Sequence, residues 1–335
     1  MAMIKYMAVI ALTFISLMSA SAHESRPVYI KVVQDSTATY FEITVPNTIN
    51  IKNLPLIYLN DTFLNDDSQW MAYSAGFRQK WEVTDGLLLK GSQLKIKFPV
   101  FNPVLSTIIA ITCDDDTEQV LIIPPDKDHA VIPIDAYAME VRKQFSILGI
   151  EHIWAGIDHL LFLFCLIVIS GYRKQLFFAV SGFTIAHSLT LILATLDFIR
   201  LPIALIESMI AMSIVFLCYE IIHHHERKGS LTYRYPILAA SSFGLLHGMG
   251  FAAVLGEIAL PKNHLLDALL FFNIGVEIGQ IIFIFLLFII SFIVDKLMDQ
   301  LLKDELRSSM TTRGLRLTIY VVGILASYWM FDRIA

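Results

Sequence analysis

The chain is poor in charge. Only 16% of its 335 residues are Asp, Glu, Lys or Arg, against 56% hydrophobic. Soluble domains average about 25% charged residues, so the composition points to a membrane protein. No basic surplus exists either. The formal net charge is −5, and no basic patch with interleaved aromatics appears, which excludes a nucleic-acid partner. Cysteine is scarce: Cys113, Cys165 and Cys218 stand far apart, with no CxxC pair. That spacing offers neither a disulfide framework nor a thiolate zinc site. Gly-x4-Gly-Lys-Ser/Thr is missing, so no nucleotide is expected to be hydrolysed by this chain.

What is present divides the chain. Residues 1–22 read as a signal peptide, with Lys5 as the basic start, Met7 to Met18 as the apolar stretch and Ala20-Ser21-Ala22 as the cleavage site. Cleavage would leave His23 at the new amino terminus, and export would place residues 23–133 outside the cytoplasm, in a bacterial periplasm. That segment reads as a β-sandwich-like domain. Tyr29–Val33, Thr39–Val45, Trp81–Thr84, Leu94–Phe98, Thr107–Thr112 and Val120–Ile123 alternate or run apolar as strands do, with turn signals between them. Cys113 is expected to be a buried strand residue. Asp114-Asp115-Asp116 with Glu118 read as an acidic hairpin turn rather than a calcium site. Pro124 to Pro133 form a linker, and 134–146 an interfacial segment. In it Tyr137, Met139, Val141 and Phe145 oppose Arg142 and Lys143.

From 147 onward the chain reads as an α-helical polytopic membrane domain. About six spans are expected, near 146–169, 175–196, 203–222, 236–258, 265–294 and 315–332, each long enough for a bilayer core. Arg173, Lys174, Arg227, Lys228, Arg234, Lys296, Lys303, Arg307, Arg313 and Arg316 fall on one side of these spans. Only Arg200, Lys262 and the terminal Arg333 fall on the other. The basic side should be cytoplasmic, which agrees with an exported amino-terminal domain and a multi-pass protein of the bacterial inner membrane.

The first span carries an unusual group, Glu151-His152 and Asp158-His159. Each residue type recurs after seven positions, nearly two helical turns, so a straight helix would align them on two adjacent stripes. Gly149 and Gly156 beside them would admit another helix. A charged side chain at mid-bilayer costs roughly 2.5–3.5 kcal/mol on insertion scales, so this wedge should face protein, water or an ion. Further polar groups recur in later spans: Thr184, His187 and Thr190; Glu207 and Ser208; His247 among Gly244, Gly248 and Gly250; and Asn273, Glu277 and Gln280. Position along each span puts Asp158, His159, His187, His247 and Glu277 near mid-membrane. Glu151, His152 and Glu207 come out nearer the outer side. Mixed imidazole and carboxylate ligation suits nickel, cobalt or zinc more than magnesium or calcium. Mutual pairing of these groups without metal is the plain alternative. His223-His224-His225-Glu226 could receive metal on the cytoplasmic side, or be only a surface histidine run.

His152-x5-Asp158-His159 resembles the motif of the HupE/UreJ membrane proteins. Phe183-Thr-Ile-Ala-His-Ser-Leu-Thr190 and Phe243-Gly-Leu-Leu-His-Gly248 look like the same family. His23-Glu-Ser-Arg-Pro27 and the Trp81…Gly86…Gly91 segment look like its branch with a large periplasmic domain. The resemblance implies nickel or cobalt uptake and a metal-handling role for His152, Asp158 and His159. Extending the site to His187, His247, Glu277, Glu151 and Glu207 rests on the depth argument alone. Shorter nickel permeases of the family lack the β domain. The expected function is therefore a secondary permease for a divalent transition metal, with the metal ion and the lipid bilayer as partners and no nucleotide. The rivals are an intramembrane zinc hydrolase using Glu277 or Glu207 as base, haem ligation by opposed histidines, and a non-transporting metal-sensing accessory protein.

Overall fold

A computed structural model describes residues 27–35, 37–65, 70–73, 76–84, 89–103, 105–113, 118–132, 138–171, 174–199, 201–223, 230–257, 265–301 and 304–334. The signal segment, His23, Asp114 to Asp116 and His224 to Glu226 lie outside these residues. Two compact units emerge, His23–Phe145 with Val254–Phe271, and Ser146–Ala253 with Phe272–Ala335.

Among its described residues the first unit contains ten strands: β1 Val28–Gln34, β2 Thr39–Pro46, β3 Leu56–Leu59, β4 Thr62–Phe63, β5 Met71–Tyr73, β6 Gly76–Val83, β7 Gln93–Lys97, β8 Thr107–Thr112, β9 Glu118–Ile123 and β10 His129–Val131. They form a six-stranded sheet ordered β5-β6-β2-β1-β8-β9 and a four-stranded sheet ordered β10-β7-β3-β4. Alternation drives this arrangement. Val28, Ile30 and Val32 of β1, Phe41 and Ile43 of β2, and Ile57, Leu59, Leu94 and Ile96 of the smaller sheet all enter one core. Phe41 pairs with Trp81 across β2 and β6, their rings stacked at 5.1 Å. The six expected strands all fall on observed ones. Cys113 is buried in the core, one residue past β8. The stretch read as a linker contains β10, which pairs with β7.

The helices are α1 Ala138–Ala155, α2 Ile157–Ser170, α3 Lys174–Thr195, α4 Ile203–His223, α5 Leu231–Arg234, α6 Pro236–Glu257, α7 Leu265–Leu301 and α8 Asp304–Asp332. No separate interfacial helix ends at 146, because α1 runs on to Ala155. Among the described residues, four helices are long and apolar enough to cross a membrane, and α1 with α2 supplies a fifth if that pair is one span. The fourth expected span, 236–258, coincides with the 22-residue α6, which is not among those helices. Large apolar side chains such as Phe285, Ile324 and Phe331 stand 60%, 69% and 67% exposed, which suits a lipid-facing surface.

The main departure from expectation is the first span. It is not straight: α1 and α2 meet at 75° around Gly156. The two stripes predicted for a continuous helix therefore do not exist. Gly156 adopts an extended conformation between the helices, and a Cβ built there would collide with Nδ1 of His159. A glycine is needed because the imidazole folds back over the break, not because a neighbouring helix approaches. Beyond it α2 buries every residue except Ile157 and Val168. Elsewhere glycine does bring backbones together. A Cβ at Gly149 would strike the Phe272 carbonyl, and one at Gly275 the Ser146 carbonyl.

Candidate metal centre

The break at Gly156 changes which residues meet. His152 ends α1, while Asp158 and His159 begin α2, so the bend turns the two imidazoles towards each other with ring centroids 4.7 Å apart. His187 of α3 and His247 of α6 complete the group. Centroids lie 6.3 Å apart for His152 and His187, and 5.0 Å apart for His159 and His247. Ligand atoms of His152, His159 and His187 all fall within 4.8 Å of one another. The four side chains are buried, His187 and His247 almost completely. Phe162 and Phe183 pack on His247, each at 5.1 Å, and Phe272 packs on His152 at 5.5 Å. This aromatic wall keeps the local dielectric low, which strengthens any electrostatic interaction inside.

Two of the imidazoles have a partner whose chemistry fixes their proton. Asn273 Oδ1 lies 3.3 Å from His187 Nδ1. An amide oxygen only accepts, so Nδ1 carries the proton and Nε2 presents a lone pair. That Nε2 is buried with no hydrogen-bond partner among the described residues. Ser213 Oγ donates to Ile210 O at 2.6 Å, which uses its only proton, and lies 3.3 Å from His247 Nε2. Nε2–H of His247 must then donate to Ser213, leaving Nδ1 as a bare lone pair, also buried and without a partner among the described residues. Asp158 Oδ1 lies 3.1 Å from His159 Nδ1 and accepts the His159 backbone N–H at 2.9 Å. A carboxylate on one imidazole nitrogen prepares the other to bind metal. Buried imidazoles that present bare nitrogens to one another are a donor set suited to a borderline transition metal.

The remaining expected residues are placed differently. Among the described residues the close group of potential ligands is His152, His159 and His187. Asp158 sits beside it, aimed at His159. Glu277 accepts from Ser181 Oγ at 2.6 Å, and the neighbouring Gln280 accepts from Thr184 Oγ1 at 3.0 Å. Glu151 and Glu207 are half-buried and stand outside the close group. His223 Nδ1 lies 3.1 Å from the Tyr219 carbonyl. Cys165 and Cys218, read as unrelated, bring their sulfurs to 3.8 Å between α2 and α4.

Two participants escaped sequence reasoning. Ser213 is an ordinary serine in an apolar helix, and nothing local marks it. Arg333 had been counted with the outer loop charges, yet its side chain is 3% exposed and its Nη2 lies 3.2 Å from Asp158 Oδ2. A second donor, Nη1, reaches the Glu207 carbonyl at 2.7 Å. One signal was available: Arg333 is the cation nearest the end of the chain, and the buried Asp158 requires a counter-charge.

Several apolar helices around a buried polar cluster define a helical, multi-pass membrane protein. The family model described as HupE / UreJ protein matches residues 128–333, and the chain belongs to that family. The match spans every imidazole of the cluster, and the β unit precedes nearly all of it as an additional domain. No curated protein and no solved structure matches the chain. HupE/UreJ is a transporter-type family rather than an enzyme family.

Proposed function

We propose that the chain is a secondary permease for a divalent transition metal, nickel or cobalt first, and that His152, His159, His187 and His247 hold the ion in transit. The observation that carries this is the convergence of three imidazoles to within 4.8 Å in a buried, aromatic-walled site. The orientation of His187 and His247 by Asn273 and Ser213 supports it. On this reading Asp158 orients His159 and does not itself ligate. Glu277, Glu207 and Glu151 act outside the cluster, along the approach. The ligand set is then neutral. The ion's charge is met only by Asp158, whose own charge is offset by Arg333. Such a site binds strongly enough to replace water and weakly enough to release. Six spans, with α6 as one of them, would put the β unit on the periplasmic side of the inner membrane.

Three imidazoles also fit a catalytic zinc with an open position, so the hydrolase reading has an observation in its favour. It lacks a base at the cluster: Glu277 is engaged by Ser181 and neither it nor Glu207 belongs to the close group.

The test is binding of nickel, cobalt and zinc to detergent-purified protein, followed by flux into liposomes. Saturable binding together with metal-dependent flux is expected. Zinc retained through chelation, with no flux, would favour the hydrolase. No binding of any of the three would mean that the imidazoles serve each other, and the permease reading would fall.

A further inference from the structure

We propose that Arg333 is a positioning residue for the imidazole cluster, acting through Asp158. The proposal rests on the metal-cluster reading above. Arg333 follows the last residue of α8, and its neighbours Phe331 and Ile334 are 67% and 63% exposed. Exposed neighbours leave room for an arginine side chain to turn outward. Burying its charge is unfavourable unless good partners receive it. Here the guanidinium turns inward, and Asp158 Oδ2 at 3.2 Å and Glu207 O at 2.7 Å are among the groups that receive it.

The two oxygens of Asp158 have different tasks. Oδ1 faces His159, through Nδ1 at 3.1 Å and the backbone N–H at 2.9 Å. Oδ2 faces Arg333. A carboxylate held at both oxygens cannot rotate about its terminal torsion. The imidazole it faces is therefore held as well. Glu207 O anchors the guanidinium to α4, so the relay runs from α4 through Arg333 and Asp158 to His159. Outer groups of this kind set the orientation and basicity of metal-binding histidines. The path from Arg333 to the cluster runs through Asp158, and the double variant Asp158→Asn/Arg333→Gln separates that relay from a direct field of the guanidinium or a merely structural anchor.

The experiment uses the full chain in detergent, titrated with cobalt(II). Affinity and the visible d–d bands, which report ligand geometry, are followed in the wild type, Arg333→Gln, Arg333→Lys, Asp158→Asn and the double variant Asp158→Asn/Arg333→Gln. Arg333→Gln should weaken binding about 10–100-fold, the usual cost of losing an outer-sphere partner, and should alter the bands. Arg333→Lys, which keeps the charge, should recover part of both. In the Asp158→Asn background, removal of Arg333 should cost nothing more, because residues acting as one unit are not additive. If Arg333→Gln destabilises the fold, Arg333→Lys and the charge-balanced double variant carry the comparison. Wild-type affinity and spectrum in Arg333→Gln, or fully additive losses in the double variant, would reduce Arg333 to an anchor and overturn the proposal. The cluster reading fails separately, and this proposal with it, if the wild type binds no cobalt(II) or if His187→Leu binds as the wild type does.

Discussion

Both units of the molecule bury polar side chains, and the amides at the core of one and the imidazoles of the other do so in opposite ways. In the β unit, the fully buried Asn65 uses its whole amide. Its Oδ1 accepts from Ile57 N at 2.7 Å, and its Nδ2 donates to Pro55 O at 3.2 Å and to Gln79 Oε1 at 3.0 Å. Asn53 likewise accepts from Val100 N and Phe101 N and donates to Phe101 O. In the helical unit, His187 and His247 each satisfy one ring nitrogen and leave the other buried without a partner among the described residues. An unsatisfied buried polar atom costs about 1–3 kcal/mol. The first pattern stabilises a fold. In the second, the bare nitrogens belong to imidazoles packed against one another, where a shared ion would give them a partner.

The contrast can be broken by a mirrored pair of variants, which should give the largest effects. His187→Leu fills the space of the imidazole with apolar atoms and removes an unsatisfied nitrogen. Metal binding should fall below detection, while the protein melts at or above the wild-type temperature. Asn65→Leu removes the partner of Ile57 N, Pro55 O and Gln79. It should cost on the order of 1–3 kcal/mol for each group left unpaired, and leave metal affinity unchanged. Calorimetry and metal titration on the same preparations would check both. A His187→Leu protein that lost stability instead of affinity would make the imidazole a packing residue.

A smaller effect sharpens the comparison within the helical unit. Asn273 makes a bond as Asn65 does, but its partner is an imidazole. Asn273→Leu should leave the melting temperature within the range of a single lost hydrogen bond, about 0.5–1.5 kcal/mol. It should lower metal affinity about 10–100-fold, because His187 loses the acceptor that fixes its proton. Equal affinity in this variant, measured by competition with a chelator, would remove Asn273 from the site.

Local pattern made much of this legible. The β unit announced itself because alternation and turn residues are local, and the expected segments coincide with β1, β2, β6, β7, β8 and β9. Strands β3, β4, β5 and β10 were missed; each has only two to four residues, too short for alternation to show. The histidines were found because imidazole is conspicuous in an apolar run. The geometry that joins them was not, since it depends on a bend. Gly156 was read as a helix-contact glycine, and a one-residue break leaves no periodic trace distinct from a continuous helix. Pairing across long sequence separation was equally hidden. Nothing near Asp158 indicates that its counter-charge lies 175 residues away, and counting Arg333 as a loop charge concealed it. Depth along the span placed Glu277 with the histidines. Axial position ignores azimuth, and Glu277 instead faces Ser181.

The smallest effect belongs to a purely local device in the β unit. Asp35, at the end of β1 and β2's hairpin, accepts from Thr37 Oγ1 and Thr37 N at 2.7 Å each and from Ala38 N at 2.9 Å. These bonds, the Thr37 hydroxyl first, hold the Asp35 carboxyl below its ordinary range. A carboxyl depressed in the folded state stabilises the fold above its unfolded titration, and that contribution disappears as pH falls through the folded value. Asp35→Ala should therefore quicken hydrogen exchange along β1 and β2 modestly at neutral pH. The difference from wild type should shrink once both carboxyl states are protonated in acid. The side chain is exposed, so solvent screening keeps the effect small, and metal binding should not respond at all. A difference that persisted unchanged into acid would mean that the turn is held by its backbone bond from Asp35 N to Ala38 O at 3.0 Å rather than by the ionised carboxylate.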